Sequence, residues 1–186
     1  MHRAGLLNEK EYADLSCALD ELQKRVDDET FAPIEEDEDE ATALERGLLE
    51  IAGNELGGKL RAGRSRNDQI AALIRMFLRR HARVIASLLL SVCQALLNQS
   101  KNAKDAVMPG RTHMQHAQPI LLAHQLMAHV WPLLRDVNRF IDWDLRADES
   151  PYGAGALAGN TLGLNSEEVA KAVSYTHLRA HETDSY

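Results

Sequence analysis

Residues 67–102 read NDQIAALIRMFLRRHARVIASLLLSVCQALLNQSKN, and this stretch decides the fold. It contains neither proline nor glycine. Its apolar residues recur three or four positions apart, which predicts one amphipathic helix. The residues on this stripe are Ile70, Ile74, Phe77, Val84, Leu88 and Val92. At ~1.5 Å per residue, such a helix is a rod of about 50 Å.

The second half of this rod is apolar on more than one face. Beyond Val84 the apolar side chains spread around the circumference. A helix that is apolar all round needs packing partners on every side. The residues themselves allow this helix to be the centre of a large monomeric bundle.

The flanking segments are also helical in pattern. Residues 120–146 predict a second long helix, which Pro132 should kink or leave with an unpaired carbonyl. Residues 8–26 predict a shorter amphipathic helix with Asn8 as its N-cap, and residues 42–52 predict another. No alternation of apolar and polar residues is long enough to predict a strand. The sequence therefore predicts an all-α fold.

Composition excludes several classes of function. The chain has 186 residues, 45% of them hydrophobic, which argues against disorder, and its net charge of −7 gives no general attraction to nucleic acid or anionic membranes. No glycine-rich nucleotide-binding signature and no metal-ligand cluster is visible. Cys17 and Cys93 are expected to be buried or half-buried thiols in a reducing compartment. The longest apolar stretch, residues 84–97, is interrupted and too short to span a bilayer, so we expect a cytoplasmic protein without a membrane partner.

A basic run precedes the long helix. Residues 57–69 read GGKLRAGRSRNDQ, a run that combines four cationic side chains with small polar ones. In this run Lys59, Arg61, Arg64 and Arg66 surround Ser65, Asn67 and Asp68. Guanidinium groups and free N–H groups at a helix N-terminus favour anions, which predicts a carboxylate-binding loop. The alternative is structural: Ser65 or Asn67 caps the helix and the basic residues are solvated surface.

A second polar run, residues 108–119, reads MPGRTHMQHAQP and is expected to be a loop on a helical base. Histidine titrates near neutrality, so His113 can position a group or exchange a proton. The Thr112 hydroxyl can hydrogen-bond a carboxylate. The alternative is that His113 is only a structural hydrogen-bonding residue. A third run, residues 150–159, reads SPYGAGALAG, and its small residues suit close backbone approach or simply an ordinary loop.

These three runs, in this order and spacing, resemble the argininosuccinate lyase family of the fumarase/aspartase superfamily. The family shows similar S-R-N-D-Q, T-H-x-Q-x-A-Q-P and S-P-L-G-x-G-A-L-A-G motifs, and the likeness extends over residues 6–172. It implies an all-α bundle of long helices, incomplete here because family members are longer at both ends. It also implies a partial N-terminal helical domain in residues 1–64 and a partial central bundle in residues 65–172.

The resemblance implies a carbon–nitrogen lyase of arginine biosynthesis, which cleaves argininosuccinate reversibly to arginine and fumarate by β-elimination. No metal or organic cofactor is required. His113 and Thr112 correspond to catalytic positions, and Ser65, Arg66, Asn67, Thr112 and Gln115 to substrate-binding positions. Family members are homotetramers in which three subunits contribute to each site, so the apolar rod would be covered by other subunits.

The sequence departs from the family pattern in several places, among them Arg61 and Arg111, which stand where the family often has histidine and usually has tyrosine. Ala41 stands where the family commonly has histidine, and nothing matches the G-S-S-x-M-P-x-K-x-N loop whose serine is the proposed base. Residues 173–186 resemble a translated sequencing adapter and are treated as a non-native tail. We therefore expect this chain to be inactive alone. Two alternatives stay open: another fumarate-releasing lyase, such as an adenylosuccinate lyase, and a non-catalytic homologue of the crystallin kind.

Overall fold

The computed structural model describes residues 1–63 and 65–173, and the backbone of residues 177–178. A short 3₁₀ turn at His2–Ala4 precedes helices α1 (Glu9–Asp27), α2 (Glu40–Ala52), α3 (Asn54–Lys59), α4 (Arg66–Ala103), α5 (Leu122–Ala147) and α6 (Ser166–Ala172). The strands are β1 (Val107–Thr112), β2 (Gln115–Leu121), β3 (Glu149–Ser150) and β4 (His177–Leu178). The prediction of a mainly helical fold with two long helices is confirmed. The suspected tail lies almost entirely outside the described residues.

Internal contacts divide the described chain into two compact units. The first comprises residues 1–70 and 151–173, and the second comprises residues 71–150. This division does not test the domain boundaries predicted from the sequence, which stay a prediction.

The core of the first unit forms between α1 and α2. The Asn8 side chain accepts a hydrogen bond from the Glu11 N–H at 2.9 Å, and the Glu11 carboxylate accepts one from the Asn8 N–H at 3.0 Å. This reciprocal capping fixes the start of α1, so the Asn8 prediction is confirmed. The core residues are Leu7, Leu15, Ala18, Leu22 and Leu48. Cys17 lies off this buried face and is exposed, so its predicted burial is wrong, whereas Cys93 is buried.

The second unit contains most of α4, α5 and the β1–β2 hairpin. The buried Arg79 of α4 donates to Asp144 at 3.0 Å and also binds Asp148, so both acidic partners belong to the C-terminal part of α5 or the residue after it. Arg83 reaches the other oxygen of Asp144 at 2.9 Å. These ion pairs hold the N-terminal half of α4 against the C-terminal end of α5. The β1–β2 hairpin connects the opposite ends of the same two helices. By length and composition α4 would also be able to cross a bilayer, contrary to our expectation, but interior helices of soluble proteins share that composition.

The expectation that residues 108–119 form a loop without strands is wrong. β1 and β2 pair antiparallel, with Val107 opposite Leu121 and Thr112 opposite Gln115. The register shifts between Pro109 and Arg111. Most side chains on both strands are exposed, and Pro109 lies opposite Pro119, so neither strand shows the apolar alternation that would reveal it in the sequence.

Candidate active site

The start of α4 is capped by its own polar residues. The Ser65 hydroxyl accepts a hydrogen bond from the Asn67 N–H at 3.3 Å, and the Asp68 carboxylate accepts one from the Ser65 N–H at 3.2 Å. The Gln69 N–H donates to the Ser65 carbonyl, as expected for the first helical turn. Ser65 is therefore the N-cap, one of the two possibilities that the sequence left open. It is half-buried, whereas the Asn67 side chain is exposed.

Arg66 is held by the beginning of α2. Its guanidinium donates to both carboxylate oxygens of Asp39, at 2.9 and 3.0 Å, and to the Thr42 hydroxyl at 2.9 Å. The Thr42 N–H and hydroxyl, together with Arg66, hold the pKa of Asp39 below its ordinary value. Arg66, the first residue of α4, therefore connects the first turns of α2 and α4. The same contact holds its guanidinium near the N-terminus of α4.

The neighbouring basic residues are also paired with carboxylates. Lys59 binds Glu11, which lowers the pKa of Glu11, and Arg61 lies 2.7 Å from Glu45. Arg64 lies outside the described residues. These ion pairs favour the structural role for the basic residues, one of the two interpretations that the sequence left open. A substrate carboxylate would have to share them with the acidic side chains of α1 and α2.

The second group of predicted residues lies at the tip of the hairpin. His113 and Met114 are the two central residues of the turn, with φ of 47° and 64°, and Thr112 pairs with Gln115 across it. A two-residue turn with positive φ at both centres matches the right-handed twist of its strands. Thr112, His113 and Gln115 are all exposed. The hairpin thus presents a hydroxyl, an imidazole and an amide to the surroundings from adjacent positions.

The predicted site residues fall into two local clusters. Ser65, Arg66 and Asn67 are consecutive at the start of α4 in the first unit, and Thr112, His113 and Gln115 surround one turn in the second unit. Within the described part of the chain, no group of three or more histidine, cysteine or acidic residues is arranged to hold a metal ion.

Asp68 is the residue that sequence reasoning undervalued. It is only 5% exposed, and besides the Ser65 N–H it accepts hydrogen bonds from the N–H groups of Gly153 at 3.0 Å and Gly155 at 2.9 Å. The S-x-x-D spacing signals its capping contact. Nothing in the sequence signals its contact with glycines more than eighty residues later.

Comparison with known proteins identifies the family. A sequence model described as "Lyase" matches residues 1–185. The argininosuccinate lyase of Bifidobacterium longum strain DJO10A is 68% identical over 98% of this chain, and that of Kineococcus radiotolerans is 58% identical over 99%. A solved structure of an EDDS lyase variant with bound fumarate superposes with a TM-score of 0.82 at 27% identity, over 97% of this chain and 35% of that one.

This chain spans 37% of the length of the Bifidobacterium protein and 38% of the Kineococcus protein. The match to the family model, in contrast, extends over almost every residue of the chain, including both clusters of polar residues described above. The helical architecture also agrees with the solved lyase structure. The chain belongs to the lyase family and has the helical fold of the fumarase/aspartase type.

Proposed function

We propose that the polypeptide carrying this sequence is an argininosuccinate lyase, which releases fumarate from argininosuccinate and leaves arginine. The observation that carries the proposal is the 68% identity to a protein of that name along a stretch that includes both polar clusters. The fumarate in the related EDDS lyase structure supports a fumarate-forming reaction. An adenylosuccinate lyase remains the competing assignment within the same enzyme class.

The chemistry requires three kinds of group. A base removes a proton beside a carboxylate, donors stabilise the negative charge that develops on that carboxylate, and an acid protonates the departing nitrogen. Ser65, Arg66 and Asn67 offer a hydroxyl, a guanidinium and an amide, which suit the carboxylate and amino-acid ends of the substrate. The Thr112 hydroxyl can donate a hydrogen bond, which suits a carboxylate in the part of the substrate that becomes fumarate.

His113 is the proposed acid/base or orienting group. Its position on a two-residue turn leaves the imidazole exposed and accessible to a substrate. Gln115 lies directly across the turn from Thr112 and provides a further amide for binding. The base itself is proposed to come from a serine outside this sequence.

We further propose a cytoplasmic homotetramer with shared sites. The support is the apolar surface of the long helices: Phe77, Leu88 and Trp131 are 59%, 61% and 60% exposed, far more than apolar side chains of interior helices. An apolar surface of this kind marks a site of association. Analytical ultracentrifugation of the polypeptide at the length of its relatives tests the assembly, and a monodisperse monomer would rule it out.

The function is tested on the polypeptide at the length of its relatives, with fumarate formation followed by the ultraviolet absorbance of fumarate. Argininosuccinate should be cleaved, and His113→Ala should lower the rate by at least ~10²-fold. The matched control is His129→Ala, which removes an exposed histidine of α5 whose imidazole hydrogen-bonds the Gln125 side chain one turn earlier. Fumarate release from adenylosuccinate alone would move the assignment to that lyase. Tight binding of argininosuccinate without turnover would favour a non-catalytic homologue.

A further inference from the structure

Asp68 gathers three backbone donors from two separate stretches of the first unit. One carboxylate oxygen accepts the Ser65 N–H, and the other accepts the N–H groups of Gly153 and Gly155. A carboxylate is suited to this position because both of its oxygens only accept hydrogen bonds. Since Asp68 is 5% exposed, water has little access to replace any of the three contacts.

The glycine side of this arrangement depends on backbone conformations that other residues rarely adopt. Gly153 and Gly155 have φ of 101° and 63°. A Cβ at Gly155 would lie 2.8 Å from the Gly159 carbonyl oxygen, and one at Gly153 would overlap the Ser166 hydroxyl. The turn that directs both N–H groups at one oxygen therefore requires glycine at both positions.

The serine side of the arrangement reaches the proposed binding residues. Asp68 holds the Ser65 N–H, while the Ser65 hydroxyl holds the Asn67 N–H. Movement of the Asp68 carboxylate would thus be passed on to both residues. The loop formed by residues 151–159, here called the glycine loop, is tied through one side chain to the groups proposed to bind a carboxylate.

We propose that Asp68 is a positioning residue: it fixes the glycine loop to the first turn of α4 and so holds Ser65 and Asn67 in the arrangement that binds a substrate carboxylate. The inference rests on the proposed function for its kinetic consequence. The coupling between the glycine loop and the helix start is independent of which lyase reaction is catalysed.

Two substitutions separate the halves of the contact. Asp68→Glu keeps the hydrogen bond from the Ser65 N–H, because glutamate at the third position of a helix commonly accepts from the N-cap N–H. Its longer side chain, however, displaces the oxygen that binds the glycine N–H groups. Gly155→Ala disturbs the glycine loop and leaves Asp68 intact. The matched control is Asp14→Asn, a change at an exposed aspartate of α1.

The experiment uses the polypeptide at the length of its relatives and combines amide hydrogen exchange with steady-state kinetics. Both Asp68→Glu and Gly155→Ala should speed exchange at the amides of residues 153 and 155. Both should lower kcat/KM by about 10- to 100-fold, the effect expected when binding groups shift by about 1 Å. KM should rise more than kcat falls, because Ser65 and Asn67 are proposed to bind the substrate carboxylate equally in the ground state and the transition state. Asp14→Asn should change neither readout.

Every other outcome of these measurements either supports or overturns the positioning role of Asp68. Unchanged exchange at residues 153 and 155 in Asp68→Glu, or faster exchange with wild-type kinetics, would overturn the proposal. If the wild type does not cleave argininosuccinate, the proposed function fails, and calorimetric binding of fumarate replaces the kinetic readout: equal affinity of wild type and Asp68→Glu overturns the positioning role, and weaker binding by the variant supports it. If Asp68→Glu does not fold, Gly155→Ala is judged by the same criteria.

Discussion

Replacing Gly110 by alanine is expected to distort the hairpin that presents Thr112 and His113. Gly110 is buried in β1, at the point where the pairing with β2 changes register. A Cβ at this position would lie 2.6 Å from the Gln118 carbonyl oxygen and 3.5 Å from a methyl group of Ile120. The closer of these neighbours is backbone, so no flexible side chain can move aside.

The magnitude follows from this overlap. Ordinary van der Waals contact begins near 3.4 Å, so the strands must separate locally by several tenths of an ångström. Gly110 is not among the glycines with positive φ, so alanine suffers no conformational penalty and the effect is purely steric. Forcing an extra carbon into a packed position destabilises by about 1–3 kcal/mol. We expect a loss of this size, concentrated in the hairpin.

The assay is urea unfolding together with hydrogen exchange at the amides of residues 107–121. Gly58→Ala is the matched control, because a Cβ at Gly58 in α3 meets nothing within 4 Å. Glycine-to-alanine changes at such a helical position stabilise by about 0.4–1 kcal/mol. The two variants should therefore move stability in opposite directions. Wild-type stability and unchanged hairpin protection in Gly110→Ala would refute the steric argument.

Two further predictions concern the turn and an ion pair. Met114 has φ of 64° and is 87% exposed, so Met114→Gly should relieve a left-handed conformation and stabilise the hairpin by about 1 kcal/mol, seen as slower amide exchange; faster exchange would contradict this. The Arg46 guanidinium, helped by the Ile34 N–H, holds the pKa of Asp37 below its ordinary 3.8. Because the folded pKa is depressed, this stabilisation is present above pH 3.8 and is lost as pH falls through the folded value. The difference in urea midpoint between wild type and Asp37→Asn should therefore shrink below about pH 4, and a constant difference would exclude the ion pair as its source.

The hairpin shows why the local structure that carries part of the candidate site escaped prediction. Thr112, His113 and Gln115 were recognised from their residue types and from the resemblance, but their segment was expected to be a loop. Strand pairing brings together residues such as Val107 and Leu121, and a mostly exposed pair of strands leaves no periodic apolar signal. The turn itself carries His-Met at positions where Asn-Gly is the usual signal.

The basic run shows a different limit. The sequence indicated that Ser65 or Asn67 begins a helix, and Ser65 does so through contacts within four residues. It did not indicate that Lys59, Arg61 and Arg66 each meet a carboxylate of α1, α2 or the α2 N-cap. These pairings depend on how three segments pack, which residue spacing does not encode.

The sequence by itself determined α1, α4 and α5, because the period of apolar residues and the caps of a helix are local properties. Tertiary structure alone decided the β1–β2 register and the three donors that meet at Asp68. Two of those donors, the N–H groups of Gly153 and Gly155, come from a distant part of the chain. A buried carboxylate acquires such partners only when packing excludes water and brings the glycine loop to the start of α4.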